Sequence, residues 1–205
     1  HNFRFSEDYD LYPSGAKTKY KNNVMAIKLL KQIELEKRTA TPEEQIILAR
    51  YVGWGGLANA FSSTASGWEN EYQELKSLLT DVEYKAAMNS TITAYYTEPD
   101  LIRHIYRALE WFGFEGGPDR KILDPGMGTG NFYSVLPEQF QGSKLFGVEL
   151  DSITGRIAKQ LYPDADISIM GYEATKFEDN SFDVILGNIP VSYTHLRAHE
   201  TLMNL

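Results

Sequence analysis

Apolar residues in the first third of the chain recur every three residues, the spacing of one face of an α-helix. Val24, Ile27, Leu30 and Ile33 follow this rule within residues 19–36, with Met25 and Leu29 beside them. This pattern predicts an amphipathic helix with one face against a core.

Two short stretches carry the signature of a helix start. Thr41 can cap a helix in which Pro42 takes the first position and Glu44 completes a capping box. Thr80 and Glu83 repeat the Thr-x-x-Glu spacing further along the chain. We therefore expect one helix to follow Thr41 and another to follow Thr80.

The sequence Gly-Trp-Gly-Gly at 53–56 predicts the end of the helix that starts at Thr41. Trp54 then either packs on the core or belongs to a loop that contacts substrate, and the sequence leaves both interpretations open. With a further helix over 69–79, residues 1–90 are predicted to form a small helical region.

The pattern changes after residue 90, where short apolar runs alternate with helical segments. The predicted helices cover 98–111, 130–140 and 152–161, and the predicted strands cover 121–123, 144–150, 167–170 and 182–186. Strands separated by helices favour a parallel sheet with right-handed crossovers. The fold class is therefore α/β of the doubly wound kind.

The first predicted strand runs into an acid and three alternating glycines: Asp124, then Gly126, Gly128 and Gly130. Glycines at a strand-to-helix turn let a ligand approach the backbone amides of the helix start. A phosphate loop is excluded because no Gly-Lys-Ser/Thr follows, and the dinucleotide fingerprint fails because its sixth position is Asn131. An acid before the glycines would repel a pyrophosphate and attract a cation, which points to S-adenosylmethionine.

The run Asp124-Pro-Gly-Met-Gly-Thr-Gly-Asn-Phe132 resembles the first motif of the amino-methyltransferases. More narrowly, residues 17–190 resemble the amino-terminal methylase portion of the large methylase-helicase proteins of bacterial conjugative and phage-like elements. Residues 50–57 and 147–163 carry that narrower match. These proteins belong with the N6-adenine DNA methyltransferases, so the resemblance implies a truncated Rossmann-like class I S-adenosylmethionine-dependent methyltransferase sheet behind the helical region. Together with the change of pattern after residue 90, the predicted segments are a helical region at 1–90, a partial methyltransferase domain at 91–190 and a tail at 191–205.

The resemblance also implies which residues bind the cofactor. They are Tyr96, Thr97, Asp124, Pro125, Gly126, Gly128, Gly130, Phe132, Glu149 and Glu173. Glu149 would accept from the ribose hydroxyls, whereas Glu173 is either the acceptor for the adenine amine or a solvated loop acid. Thr97 would close over the methionine end of the cofactor, and it also suits the N-cap of the next helix, as Asp151 suits that of a later one.

The catalytic candidates are Asn188 and Pro190 in the sequence Asn-Ile-Pro after the last predicted strand. Relatives have Asn-Pro-Pro-Tyr or Asn-x-Pro-Phe, so Ile189 departs from the commoner form and Val191 stands where an aromatic would stack on the target base. An adenine N6 amine is a poor nucleophile, and acceptors for its two hydrogens return electron density to the nitrogen.

Residues 191–205 are predicted to be foreign to the natural protein. The string VSYTHLRAHET is one translation of the end sequence of a transposase-based sequencing adapter. His195 and His199 have the spacing of a metal pair, but we expect no metal site. The chain is then a fragment that ends just inside its catalytic motif and is expected to be inactive alone.

Charge and composition set limits on partners and location. A net charge of −8 argues against a broad nucleic-acid-binding face, so DNA is expected to bind mainly through regions outside this segment. The basic stretch from Lys17 to Lys31 is interpreted as a solvated helix face. Without cysteine, an apolar span or a signal peptide, we expect a cytoplasmic protein with no membrane partner. The oligomeric state stays open.

The expected activity is methyl transfer from S-adenosylmethionine to the N6 amine of adenine in DNA. Two alternatives stay open: methylation of protein glutamine or RNA adenine, because Asn-x-Pro suits any planar nitrogen, and a non-catalytic cofactor-binding module of a mobile-element protein.

Overall fold

The computed structural model describes residues 1–92 and 97–188. Seven α-helices lie in this part of the chain: α1 (Ala16–Leu35), α2 (Pro42–Ala49), α3 (Glu69–Leu78), α4 (Asp81–Asn89), α5 (Pro99–Trp111), α6 (Asn131–Ser134) and α7 (Ser152–Leu161). Four strands complete it: β1 (Lys121–Asp124), β2 (Lys144–Glu149), β3 (Asp166–Ile169) and β4 (Val184–Ile185).

The four strands form a parallel sheet in the order β3-β2-β1-β4. Ile122 of β1 pairs with Leu145 of β2 on one side and with Val184 of β4 on the other. The order places β1 at the centre, with the chain crossing over before β4. All strands end at the same edge of the sheet, as the sequence predicts for a doubly wound α/β fold.

The predicted helix starts are confirmed in atomic detail. The Thr41 hydroxyl accepts from the Glu44 N–H at 3.3 Å, and the Glu44 carboxylate accepts from the Thr41 N–H at 2.9 Å. Thr80 and Glu83 form the same reciprocal pair at the start of α4. Asp151 caps α7 by accepting from the Thr154 N–H at 2.9 Å.

Two predictions on helix bounds are wrong. The helix expected over 130–140 lasts one turn and ends at Ser134. Pro137 disfavours helical backbone at the residue before it, so the chain leaves the helix and forms a separate 3₁₀ turn over Glu138–Phe140. The N-cap of α5 is Glu98, which makes no side-chain cap bond, and not Thr97.

The helical region and the sheet share a contiguous apolar core. Helices α1 and α2 pack against α7, and the cluster of buried side chains extends from Phe3 to Leu186. Arg156 of α7 donates to Glu34 of α1 at 2.5 and 2.7 Å and to Glu83 of α4 at 3.3 Å. The domain boundary near residue 90 stays a prediction, and the packing across it is close.

Three lysines of the basic stretch in α1 form ion pairs within the helical region. Lys17, Lys28 and Lys31 bind Glu71, Glu74 and Glu83 at 2.6, 2.7 and 3.0 Å, respectively. These pairs hold α3 and α4 against α1. In the described ranges, no helix has both the length and the apolar character needed to cross a bilayer.

Gln45 connects α2 to the end of α7, and its removal tests how much that contact stabilises the fold. It is 3% exposed, and its amide donates to the carbonyls of His1 and Gln160 at 3.1 and 2.9 Å. Gln45→Leu leaves buried acceptors unpaired and should lower the free energy of unfolding by about 1–3 kcal/mol in urea denaturation.

The matched control is Gln32→Leu on the exposed side of α1, which should change that free energy by less than about 0.5 kcal/mol. Equal effects of the two substitutions would show that the amide of Gln45 is not a structural contact between the helical region and the sheet.

Candidate functional site

Two carboxylates at the ends of neighbouring strands hold the glycine loop between β1 and α6. Asp124 is 1% exposed, and its Oδ1 accepts from the Gly126 N–H at 3.1 Å. Glu149 accepts from the Gly128 N–H at 2.9 Å through Oε2 and from the Asp151 N–H at 2.8 Å through Oε1. The loop is therefore fixed from β1 and from β2.

The glycines of this loop meet two different demands. Gly128 and Gly130 have φ values of +56° and +86°, a conformation that other residues adopt at a cost. A Cβ on Gly130 would lie 2.2 Å from the buried ring of Tyr162, whereas a Cβ on Gly128 meets nothing within 4 Å. Glycine at 130 is thus required for close packing against Tyr162, whereas Gly128 exposes its backbone to a cavity at this edge of the sheet.

The end of β4 lies directly beside Asp124. The Leu186 N–H donates to the Leu123 carbonyl at 2.9 Å, which continues the β1–β4 ladder by one residue. Gly187 comes so close that a Cβ there would lie 2.5 Å from Asp124 Oδ1. Asn188 follows, exposed at the same edge of the sheet.

A cavity of about 480 Å³ opens at this edge. Its sheet-side wall contains seven of the residues that the sequence predicts for the site: Thr97, Asp124, Gly126, Gly128, Phe132, Glu149 and Asn188. The volume falls within the usual range for small-molecule sites.

The opposite wall comes from the helical region. Lys19 and Asn22 of α1, Arg50 and the 51–55 turn line the same cavity, as does Tyr12 of the amino-terminal arm, defined here as residues 1–15. The wall therefore places cationic and amide side chains opposite the carboxylates of the sheet.

A buried asparagine sets the position of the turn. Asn23 is fully buried; its amide donates to the Gly53 carbonyl at 2.6 Å and accepts from the Val52 N–H at 3.0 Å. Arg50 is fixed similarly, because it donates to the Tyr9 carbonyl at 3.0 and 3.3 Å. These bonds join α1, the turn and the arm into one preformed wall.

The core-packing interpretation of Trp54 is confirmed, and its contact with substrate stays a prediction. The ring is 2% exposed and makes an edge contact with Phe61 at a centroid distance of 5.2 Å, so it packs in the core. Trp54 and the glycines on either side of it also line the cavity.

Burial dominates the electrostatics of the two loop carboxylates. Removal from water raises the pKa of Asp124 to about 7; the Gly126 N–H opposes this shift, and the charge of Glu149 adds to it. Burial also raises the pKa of Glu149, against the hydrogen bonds from backbone N–H groups. A cation bound between them would favour the ionised form of both groups.

The remaining predicted residues lie elsewhere. Pro125 and Gly130 shape the loop without lining the cavity. Glu173 is exposed in a 3₁₀ turn and also lies off the lining, so its assignment to the adenine amine stays a prediction. Tyr96 and Pro190 are outside the described residues, as is the tail over 191–205.

Sequence reasoning missed the helical wall as part of the site. Lys19 and Asn22 sit within the amphipathic pattern of α1, where nothing distinguishes them from a solvated face. The available signal was the glycine-flanked Trp54 turn, since a turn held beside a cavity needs the backbone freedom of glycine at φ +75°.

Comparison with known proteins finds similarity to methyltransferases in the sheet-bearing part of the chain. Residues 122–204 match the family model of a methyltransferase domain. That match and the parallel sheet define the sheet-bearing part of the chain as a methyltransferase domain with a Rossmann-like class I fold. Its cofactor is S-adenosylmethionine.

Two curated proteins are similar to the chain. The "Defense against restriction protein B" of Escherichia phage P1 is 26% identical over 170 residues, which are 82% of this chain and 6% of the phage protein. "Modification methylase CviBIII" of Paramecium bursaria Chlorella virus NC1A is 32% identical over 77 residues, 38% of this chain and 20% of that protein. The chain thus spans a small part of each relative.

Among solved structures, a TehB-like SAM-dependent methyltransferase from Corynebacterium glutamicum is 25% identical, with a TM-score of 0.30. The match covers 44% of this chain and 54% of that one.

The donors present fit this cofactor. S-adenosylmethionine carries an ammonium and a sulfonium, which suit the Asp124 end of the cavity, and ribose hydroxyls, which suit a carboxylate such as Glu149. Each carboxylate oxygen that accepts a loop N–H retains a lone pair for a ligand.

The raised pKa of Asp124 predicts a specific dependence of stability on pH. Because the folded-state pKa of about 7 exceeds the unfolded value, the buried carboxyl favours folding when protonated, and this contribution is lost as the pH rises towards 7. Asp124→Asn keeps an acceptor for Gly126 and removes the charge. Relative to the wild type, the variant should gain about 2 kcal/mol of unfolding free energy between about pH 5 and about pH 8.

Urea denaturation across that pH range measures the difference. The exposed loop variant Glu178→Gln controls for the change in net charge. A difference between Asp124→Asn and wild type that does not vary with pH would contradict the assignment of a neutral carboxyl to the free protein.

Proposed function

We propose that the chain is the cofactor-binding and catalytic part of an N6-adenine DNA methyltransferase. The single observation that carries the proposal is the placement of Asn188 at the end of β4, on the cavity that Asp124 and Glu149 line. An amide acceptor beside a site for a methyl donor suits a planar amine as the acceptor of the methyl group. The similarity to a viral modification methylase supports DNA as the source of that amine.

The chemistry divides between cofactor and protein. When bound, S-adenosylmethionine supplies an electrophilic methyl group on a positively charged sulfur. Asn188 would accept a hydrogen bond from the target amine through its side-chain oxygen, with a backbone carbonyl of the Asn-Ile-Pro sequence accepting the second hydrogen. Both bonds increase the electron density on the nitrogen and hold it in line with the methyl group.

The sheet-side residues would orient the cofactor. Asp124 would attract its positive end, Glu149 would accept from the ribose hydroxyls, and Thr97 would contact the methionine end. Their common position on one cavity supports these roles. The cofactor-binding roles that the sequence resemblance implies are kept for Tyr96 and Glu173. Pro190 keeps its place in the catalytic motif.

The wider setting is also part of the proposal. The match to the phage P1 protein supports a protein of mobile elements. The methylase and helicase portions are proposed from the sequence resemblance, and the cytoplasmic location from the composition of the chain. DNA would then bind in large part through portions outside the present chain.

Asn188→Ala tests the proposed catalytic role. Loss of the amide acceptor should lower the rate of methyl transfer to DNA by about 100-fold or more, while the affinity for S-adenosylmethionine changes little. Asn89→Ala, an exposed asparagine at the end of α4, is the matched control and should leave the rate unchanged. The assay follows transfer of a tritiated methyl group in the longest available form of the protein that contains these residues.

DNA, RNA and protein substrates are offered in parallel. Label in adenine of DNA supports the proposal, whereas label found only in RNA or in protein glutamine would replace it with the corresponding alternative. A rate that is unaffected by Asn188→Ala would remove this residue from the mechanism.

A further inference from the structure

A second cleft, separate from the cofactor cavity, gathers three arginines on a chain of net charge −8. It has a volume of about 330 Å³ and lies between the amino-terminal arm, α5 and the segment 134–137. Arg4, Arg103 and Arg107 line it, with Glu110 as the one carboxylate among its described lining residues. We refer to it as the arginine cleft.

The three guanidinium groups reach the cleft from two elements. Arg103 and Arg107 are four residues apart on α5, so they share one face of the helix. Arg4 comes from the arm, where its guanidinium donates to the Leu136 carbonyl at 3.1 Å. Like charges at this helical spacing destabilise a helix, and a third cation nearby adds to the repulsion. An anion between them would relieve it.

The charges of the cleft are only partly compensated within the protein. Arg103 pairs with Asp100 at 2.6 Å, and the Glu110 carboxylate accepts a hydrogen bond from the side chain of Gln139. Within residues 1–92 and 97–188, no hydrogen bond or ion pair involves the guanidinium of Arg107, which is exposed. At least one planar fork of donors is therefore available to an oxyanion.

Aromatic rings lie next to the arginine cleft and extend towards the cofactor cavity. The guanidinium of Arg103 lies 5.6 Å from the ring centre of Phe5, and Phe5 stacks on Tyr12 at 6.4 Å with an interplanar angle of 22°. Tyr12 lines the cofactor cavity, and its hydroxyl donates to Asn131 at 3.4 Å. Helix α6 borders both sites, with Asn131 on the cavity and Ser134 on the cleft.

We infer that the arginine cleft binds a backbone phosphate of the nucleic-acid substrate, on the far side of α6 from the reacting base. Guanidinium forks match phosphate geometry, and arginine interleaved with aromatic rings is typical of surfaces that follow a nucleic-acid strand. The inference rests on the proposed function for the identity of the ligand. The phosphate contact itself is independent of the methyl-transfer step.

Two measurements on the 205-residue chain test the inference without cofactor. The first follows the arginine Nε–Hε signals by NMR during titration with inorganic phosphate, in wild type and in Arg107→Gln. Phosphate should shift the signals of Arg4, Arg103 and Arg107 together, and the first two should respond less in the variant. Absence of any shift at these arginines would overturn the site.

The second measurement is fluorescence anisotropy of a labelled oligodeoxynucleotide over a series of salt concentrations. Arg107→Gln should weaken binding by about three- to tenfold and reduce the salt slope by about one unit. Lys159→Gln removes the same charge from an exposed position of α7 and should leave both quantities unchanged. Equal behaviour of the two variants would contradict the inference.

The outcomes separate this inference from the proposed function. If phosphate shifts the arginines but the oligonucleotide does not bind, the cleft is an oxyanion site and its assignment to nucleic acid is wrong. If the oligonucleotide binds through Arg107 while the methyl group goes elsewhere than DNA adenine, the cleft stands and the proposed reaction fails.

Discussion

The structure of the site depends on the attachment of one glycine loop to two carboxylates. Asp124 at the end of β1 and Glu149 at the end of β2 each accept a backbone N–H of this loop. The arrangement is possible because parallel neighbouring strands end at the same edge, which brings the two acids to one place. Burial makes each carboxylate costly to ionise, and backbone N–H groups offset part of that cost. The free protein thus holds two acceptors ready for a cationic, hydroxyl-bearing ligand.

The helical region completes the site on the opposite side. Asn23 fixes the Trp54 turn from α1, and Gln45 and Arg156 join the helices to α7. The cavity therefore has an acidic wall on the sheet and a wall with cationic side chains on the helices. A zwitterionic cofactor and an anionic substrate both suit such a polarity. Packing across the predicted boundary near residue 90 places this wall opposite the sheet.

Local sequence signals predicted the elements well. Capping boxes at Thr41 and Thr80 fix helix starts because two side chains bond to the backbone within four residues of each other, and short apolar runs between helices fix a parallel sheet. The acid-glycine pattern likewise located the loop. The helix predicted over 130–140 ends at Ser134 because Pro137 disfavours helical backbone at the residue before it. The positions of Lys19 and Arg50 on the cavity wall could not be predicted from the sequence, and neither could the arginine cleft. Both depend on tertiary contacts between segments far apart in sequence.

Calorimetric titration of S-adenosylmethionine into the wild type, Asp124→Asn and Glu149→Gln is the most direct measurement of the central claim. Both substitutions keep an oxygen acceptor for the loop and remove one negative charge from the cavity. Each substitution should weaken binding by about tenfold or more, and the affinity of the wild type should increase as the pH rises towards 7. Undiminished binding by both variants, or no binding of S-adenosylmethionine at any pH to a folded wild-type protein, would contradict the central claim.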